Sequence, residues 1–121
     1  MELWVKIGEE KKKYKGSFRS VMENLFNDGK DKEVNLLSIH APQKELRRFK
    51  REWRKNGRDL IETARKIARW FYIRDLRRAN RCIKDLRKKK DPVSISRVER
   101  ARKIIEEIQP KLRILDGSVK V

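Results

Sequence analysis

The spacing of apolar residues at the start of the chain indicates a strand. Leu3, Val5 and Ile7 recur at every second position, which places them on one side of an extended segment and predicts a strand over residues 2–7. Residues 8–16 are mostly charged and have a glycine at each end, which favours a loop.

After this loop, the apolar residues have the spacing of a helix. Ser17 is suited to cap a helix over residues 17–28, and Gly29 is suited to end it. In residues 33–40 apolar and polar residues alternate only in part, so this segment is a weaker candidate for a second strand. The apolar residues of the helix have the i, i+3, i+4 spacing of one face: Phe18, Val21, Met22, Leu25 and Phe26.

The middle of the chain carries two predicted helices, over residues 43–55 and 59–90. Asn56-Gly57 indicates a break between them, and Asp59 with Glu62 forms a capping box that opens the second helix. Because the apolar stripe of the first helix continues in heptad register into the second, one continuous helix through Gly57 is the alternative.

The apolar face of the second predicted helix changes direction along its length. Its early apolar residues, from Leu60 to Phe71, and its late ones, from Tyr72 to Leu86, lie about 70° apart on a helical wheel. This rotation predicts a bend or a change of packing partner near residues 70–75.

The last third of the chain predicts one further helix and a hairpin. Ser96 with Glu99 is a capping box for a helix over residues 96–109, which Pro110 would end. Residues 111–121 are predicted to form a hairpin that pairs with the first strand. The predicted fold is mainly α, a single-domain helical bundle with one long basic helix at about 59–90 and a small sheet from the terminal segments. An α+β fold is the alternative.

Positive charge is concentrated in the two central helices. Lys and Arg number 35 against 18 Asp and Glu, which gives a net charge of +17. Residues 44–90 hold 20 basic and 6 acidic residues, and 12 of those 20 are Arg. Such an excess is typical of a protein with a polyanionic partner, and the planar guanidinium of Arg binds phosphate oxygens in pairs.

The cations of each central helix share one face. On a helical wheel they fall within about 120° of arc, opposite the apolar residues. Like charges three or four residues apart destabilise a helix, and phosphates would remove that repulsion on binding. A solvated face of a thermophilic protein is the alternative interpretation. The candidate nucleic-acid-binding residues are Lys44, Arg47, Arg48, Arg51, Arg54, Lys55, Trp70, Arg74, Arg77, Arg78, Arg81, Lys84 and Lys88.

The three tryptophans receive different predictions. Trp70 lies among the cations, one turn before Arg74, and either packs against a neighbouring helix or offers a stacking surface for a base. Trp4 and Trp53 are predicted to lie in the core.

Signals for catalysis are weak. His40 is the only histidine and is predicted to be a surface or hydrogen-bonded residue, and Cys82 is predicted to be a buried thiol. We therefore expect no catalytic residue, no bound metal and no cofactor. Asp28, Asp31 and Glu33 form the one compact acidic group from which a metal-dependent nuclease site could be built.

Residues 43–50 resemble the Q-x-x-L-x-x-F-F peptide by which replication proteins dock on the sliding clamp. Gln43, Leu46 and Phe49 match its first three positions, and Lys50 stands where the second aromatic residue would be. The resemblance implies a clamp as a partner.

Together these features predict a non-catalytic protein that binds DNA or RNA with low sequence specificity through residues 44–90. The alternative is a protein-binding regulator or inhibitor that docks on an acidic surface of a replication, transcription or defence enzyme. No apolar run approaches the ~18 residues of a membrane span, so we expect a cytoplasmic protein without a membrane partner. Narrow apolar stripes such as that of residues 46–53 would also suit a homodimer.

Overall fold

The computed structural model describes residues 1–117. They divide into two compact units, residues 1–68 and the residues from Arg69 onward. The fold is mainly helical with a small antiparallel sheet, which agrees with the predicted class. The elements, in chain order, are β1 (Glu2–Ile7), β2 (Glu10–Lys15), α1 (Phe18–Gly29), β3 (Val34–His40), α2 (Gln43–Lys55), α3 (Leu60–Leu86) and α4 (Pro92–Leu115).

The sheet lies in the first unit, and its strands are antiparallel in the order β2-β1-β3. β1 and β2 are joined by a two-residue turn that begins with Gly8, whose φ of +59° is the left-handed conformation that such turns need. The predicted loop over residues 8–16 is therefore wrong for Glu10–Lys15. These residues form a strand because β1 supplies their hydrogen-bonding partners, although their own sequence is mostly lysine.

One face of the sheet packs on α1. Leu3, Val5 and Ile7 are buried on this face, and α1 contacts both β1 and β2. The Tyr14 hydroxyl of β2 donates a hydrogen bond to Asp28 Oδ2 of α1 at 2.7 Å. Burial and this bond both favour the neutral phenol and raise the pKa of Tyr14. The sequence predicted the strand over residues 2–7 and the helix over residues 17–28. The structure packs their apolar faces against each other in one core.

Gly29 at the end of α1 permits a close approach of three elements. A Cβ at this position would lie 2.5 Å from Ile61 Cδ1 of α3 and 2.9 Å from Val34 Cγ2 of β3. The predicted stop residue is therefore also a packing residue, because even one methyl group would collide with its neighbours.

β3 is confirmed as a strand, and a bulge explains its poor alternation. Trp4 pairs with Ser38 and the next residue, Val5, pairs with Leu36, so Leu37 is an extra residue without a partner in β1. An inserted residue shifts the inward and outward positions by one, which hides the period of two in the sequence.

The predicted break between the two central helices is confirmed. α2 ends at Lys55, and the helical conformation is interrupted at Gly57 and Arg58, whose φ angles are +64° and +63°. Asp59 Oδ1 then accepts a hydrogen bond from Glu62 N at 3.1 Å and caps α3. The alternative of one continuous helix is wrong.

In the second unit, residues 69–86 of α3 run antiparallel to α4. Arg69 Nε lies 2.7 Å from Asp116 Oδ1, and Lys111 Nζ lies 5.6 Å from the centroid of the Tyr72 ring. α3 ends at Leu86, four residues before the predicted end, because the chain turns there towards α4. The boundary between the units falls after Ala68, close to the segment where the apolar face rotates.

α4 is longer than predicted at both ends. Asp91 caps it, since its Oδ2 accepts hydrogen bonds from Ser94 Oγ and Ser94 N at 2.9 and 3.0 Å, and these bonds lower the pKa of Asp91. The predicted start at Ser96 is therefore wrong.

The predicted helix end at Pro110 is also wrong, because α4 continues through this residue to Leu115. Pro110 removes one helical hydrogen bond, but Leu115 is buried on the far side of it and supplies packing that favours the helix. The predicted hairpin over 111–121 is wrong for residues 111–117, and residues 118–121 lie outside the described part of the chain.

None of the helices formed by residues 1–117 is both long enough and apolar enough to cross a membrane.

Candidate nucleic-acid interface

α2 presents its cations on the face opposite its apolar residues. Phe49 is buried and stacks with Trp53 at a centroid distance of 6.4 Å, which fixes the orientation of the helix in the first unit. Arg48 is half-buried, and the other five predicted residues of this face are exposed: Lys44, Arg47, Arg51, Arg54 and Lys55. We call these six residues the α2 basic face.

α3 carries a second set of cations, in the second unit. Arg74 is half-buried, and Arg77, Arg78, Arg81 and Lys84 are exposed. We call these five residues the α3 basic stripe. Tyr72 and Ala79 are buried on the opposite side of the helix, which holds the stripe towards solvent. At 1.5 Å per residue, the stripe from Arg74 to Lys84 is about 15 Å long.

The structure corrects the prediction for Lys88. This residue lies in the turn after α3, so helical spacing no longer places it on the stripe. The helix ends early because Asp91 and Pro92 start α4. Lys88 remains exposed near the end of the stripe.

Trp70 lies on the surface of α3 rather than inside a helix–helix interface. It is 43% exposed, and the Phe71 ring meets it edge-on at a centroid distance of 5.0 Å. The Arg74 guanidinium carbon lies 5.2 Å from the Trp70 centroid and 5.1 Å from that of Phe71. Two aromatic rings thus hold this guanidinium in place by cation–π attraction.

Arg74 keeps one unused hydrogen-bond donor. Its Nη2 lies 3.6 Å from Asp75 Oδ1, while its buried Nε has no hydrogen-bond partner in the described structure. Because its ion pair with Asp75 is long, a guanidinium positioned by two aromatic rings can donate hydrogen bonds to a phosphate oxygen without first breaking a strong ion pair.

Residues of the α3 basic stripe surround a shallow recess together with Trp70. Its lining consists of one aromatic, one aliphatic and four arginine side chains: Trp70, Ile73, Arg74, Arg77, Arg78 and Arg81. The arrangement combines a positive field with an apolar surface, which suits a ligand with phosphate groups and flat rings.

Two core predictions for tryptophan have different outcomes. Trp53 is half-buried, and its Nε1 donates a hydrogen bond to Arg58 O at 3.0 Å. Trp4 is 37% exposed, so its assignment to the core is wrong. The sequence held the signal for this, since Leu3 and Val5 point inward and the residue between them must point outward.

Other sequence-derived candidates are explained by the packing. Phe49, which the clamp-binding resemblance needs as an anchor, is only 1% exposed. Asp28 accepts the Tyr14 hydrogen bond, and no group of three His, Cys, Asp or Glu able to hold a metal occurs within residues 1–117. His40 is exposed, and Cys82 is a free, half-buried thiol whose Sγ lies 4.0 Å from Arg97 O.

Comparison with known proteins identifies one relative. No protein-family profile matches the chain, and no solved structure matches it. An uncharacterized protein of Aquifex aeolicus (strain VF5) is 53% identical over 109 residues, which cover 90% of this chain and 86% of that protein. Identity at this level over nearly the full length of both chains shows common ancestry, and the chain belongs to the same family as this Aquifex aeolicus protein.

Proposed function

We propose that this protein binds nucleic acid, DNA or RNA, with low sequence specificity and without catalysing a reaction on it. The observation that carries the proposal is the α3 recess, in which four arginines and an exposed Trp70 share one surface. Arginine contributes both charge and a flat stacking surface, so this combination fits a phosphate backbone with neighbouring bases.

Electrostatic repulsion within the α3 basic stripe supports the same conclusion. Arg77 and Arg78 each lie three or four residues from both Arg74 and Arg81, which is the spacing at which like charges destabilise a helix. Phosphates bound along the stripe would relieve that repulsion and release their counterions, and both effects favour association.

Low sequence specificity follows from the kind of side chain on both basic surfaces. Arginine and lysine that contact phosphates fix the position of a protein on nucleic acid but do not read bases. The exposed cations of the α2 basic face would add contacts of the same kind in the first unit.

The test is fluorescence anisotropy with four labelled probes: duplex DNA, single-stranded DNA, hairpin RNA and single-stranded RNA. We expect sub-micromolar binding to at least one probe, and a log–log salt slope near −5 if about six phosphates of a duplex are neutralised. The variant Arg77→Gln/Arg78→Gln/Arg81→Gln removes three exposed cations without disturbing the Trp70–Arg74 contact. It should weaken binding roughly 100-fold or more at 0.1 M salt and flatten the slope by about 3.

A matched control removes the same charge from another surface. Arg100, Arg102 and Lys103 are exposed on α4, and their replacement by Gln lowers the net charge by the same three units. Equal losses in both variants would mean that only net charge matters and would contradict a defined surface. Millimolar binding to all four probes at low salt would overturn the proposal and favour an acidic protein as the partner.

A further inference from the structure

The solvent-facing side of the sheet is a second surface with aromatic and basic character. β1 places Glu2, Trp4 and Lys6 on the face opposite Leu3, Val5 and Ile7. The strand register brings residues of β2 and β3 onto the same face: Lys11, Lys13 and Lys15 from β2, and Asn35, Ser38 and His40 from β3.

We propose that this sheet face binds single-stranded nucleic acid, with a base stacked on Trp4 and phosphates held by the surrounding lysines. The observations are independent of the α3 recess, since they concern other residues in the other unit. The inference therefore goes beyond the proposed function and can fail or hold separately from it.

Trp4 is positioned for stacking. It lies on the central strand and is 37% exposed, and the residue paired with it in β3 is the small residue Ser38. Its Nε1 donates a hydrogen bond to Glu2 Oε1 at 3.1 Å, and Lys13 Nζ lies 3.3 Å from that same oxygen. The indole ring is thus held in one orientation by its edge, while a substantial part of it stays open to solvent.

Charge complementarity identifies the occupant. Four lysines on two strands share this face with a single carboxylate, that of Glu2. Lys13 Nζ lies over the Trp4 ring, 5.2 Å from its centroid, so a base that stacks on this side of the ring would displace the ammonium, which would remain close enough to contact the phosphate. A polyanion with flat rings satisfies both features at once.

An exposed ring on the central strand favours a single strand over a duplex. In a duplex the bases are stacked on one another and show only their edges, so a ring on a sheet cannot stack on them. Unpaired bases can turn outward and stack on an aromatic side chain, an interaction that tolerates any sequence.

The test uses the full-length protein labelled with 5-fluorotryptophan, whose three ¹⁹F resonances are assigned with Trp→Phe variants. The probes are a 12-nucleotide oligo(U), a 12-nucleotide oligo(dT) and a DNA duplex of the same length. We expect the Trp4 resonance to shift with both single strands and to stay in place with the duplex. A difference between oligo(U) and oligo(dT) would show whether the 2′-hydroxyl contributes.

The binding affinities of substituted proteins provide the second part of the test. Trp4→Ala should weaken single-strand binding about 5- to 150-fold, Trp4→Phe should retain part of the affinity, and duplex binding should change less than twofold. Leu37 is the matched control, because it is an exposed apolar residue of the same sheet that offers no ring, and Leu37→Ser should leave the affinity unchanged.

Four results would overturn the inference. One is a Trp4 resonance that stays in place at saturating oligonucleotide, together with full affinity of Trp4→Ala. Another is a shift of this resonance with protein concentration alone, which would assign the face to a second copy of the chain. Absence of binding to every probe would overturn this inference and the proposed function together. Loss of binding in the α3 triple variant, with none in Trp4→Ala, would leave only the proposed function standing.

Discussion

Trp4 and Trp70 occupy similar local environments on two different kinds of surface. They are 37% and 43% exposed, and each has a cation 5.2 Å from its ring centroid. Trp70 lies on a helix, where the neighbouring cations follow one line about 15 Å long. Trp4 lies on the central strand of a sheet, where the neighbouring strand β2, about 4.8 Å away, places lysines along one side of it.

The difference teaches what each architecture can hold. A line of arginines on a convex helix can follow the phosphates of a duplex or of a single strand, because it needs only the backbone. A sheet face with an exposed ring on its central strand requires an unpaired base for stacking. Lysines on β2 serve a second purpose, since charged side chains on an edge strand discourage pairing with other chains.

The largest effect we expect is a difference in stability between variants of the exposed rings, Trp4 and Trp70, and variants of buried residues close to them in sequence. Leu3→Ala should lower the free energy of unfolding by about 2–5 kcal/mol, and Tyr72→Ala by about 3–5 kcal/mol, because both side chains are fully buried. Trp4→Ala and Trp70→Ala should each cost about 1 kcal/mol or less. Urea unfolding monitored by circular dichroism provides the comparison, and equal losses within either pair would contradict the assigned orientations.

A charge-conserving exchange should distinguish the two surfaces by their chemistry. Arg77→Lys/Arg78→Lys/Arg81→Lys keeps the net charge, so the salt slope should change by less than about 1. Binding should nevertheless weaken several-fold, because the ammonium group of lysine neither forms paired hydrogen bonds with phosphate oxygens nor stacks on bases. Lys6→Arg/Lys11→Arg on the sheet should keep or raise the affinity. Anisotropy titrations at two salt concentrations measure both, and an unchanged affinity of the helix variant would show that its guanidinium groups act as charges alone.

The smallest expected effect is a titration specific to Trp4. The hydrogen bond from Trp4 and the contact with Lys13 hold the pKa of Glu2 below its ordinary value of 4.5. Because the folded-state pKa is lowered, this contribution to stability is fully present above pH 4.5 and is lost as the pH falls through the lower folded value. The ¹⁹F resonance of Trp4 should therefore move with a midpoint below 4.5, and Glu2→Gln should abolish the transition. A midpoint at or above 4.5 would exclude the assigned hydrogen bond.

Much of the helical structure could be predicted, because its signals are local. Ser17, Gly29 and the complete apolar face between them define α1, and Asn56-Gly57 with Asp59 defines the break between α2 and α3. The candidate site was predictable to the same extent. Helical spacing placed Arg74, Arg77, Arg78 and Arg81 on one face, and the structure brings them to one recess.

Predictions failed at the two ends of α4, where a contact other than the predicted signal decides the outcome. Pro110 would end an isolated helix, but burial of Leu115 and the ion pair between Arg69 and Asp116 favour its continuation. Ser96 is a good local cap, yet Asp91 starts the helix because Ser94 satisfies its carboxylate. In both cases a nonlocal or competing contact outweighed a correct local preference.

The sequence by itself determined the class of the fold, the bounds of α1 and α2, and the concentration of cations on helical faces, since caps, breaks and periods act within a few residues. Only the tertiary structure decided that the lysine-rich segment Glu10–Lys15 is a strand and that Trp70 is exposed. A strand needs a partner to satisfy its backbone groups, and exposure depends on which elements pack against a residue. Both depend on contacts with other elements, which the residues of the segment itself do not encode.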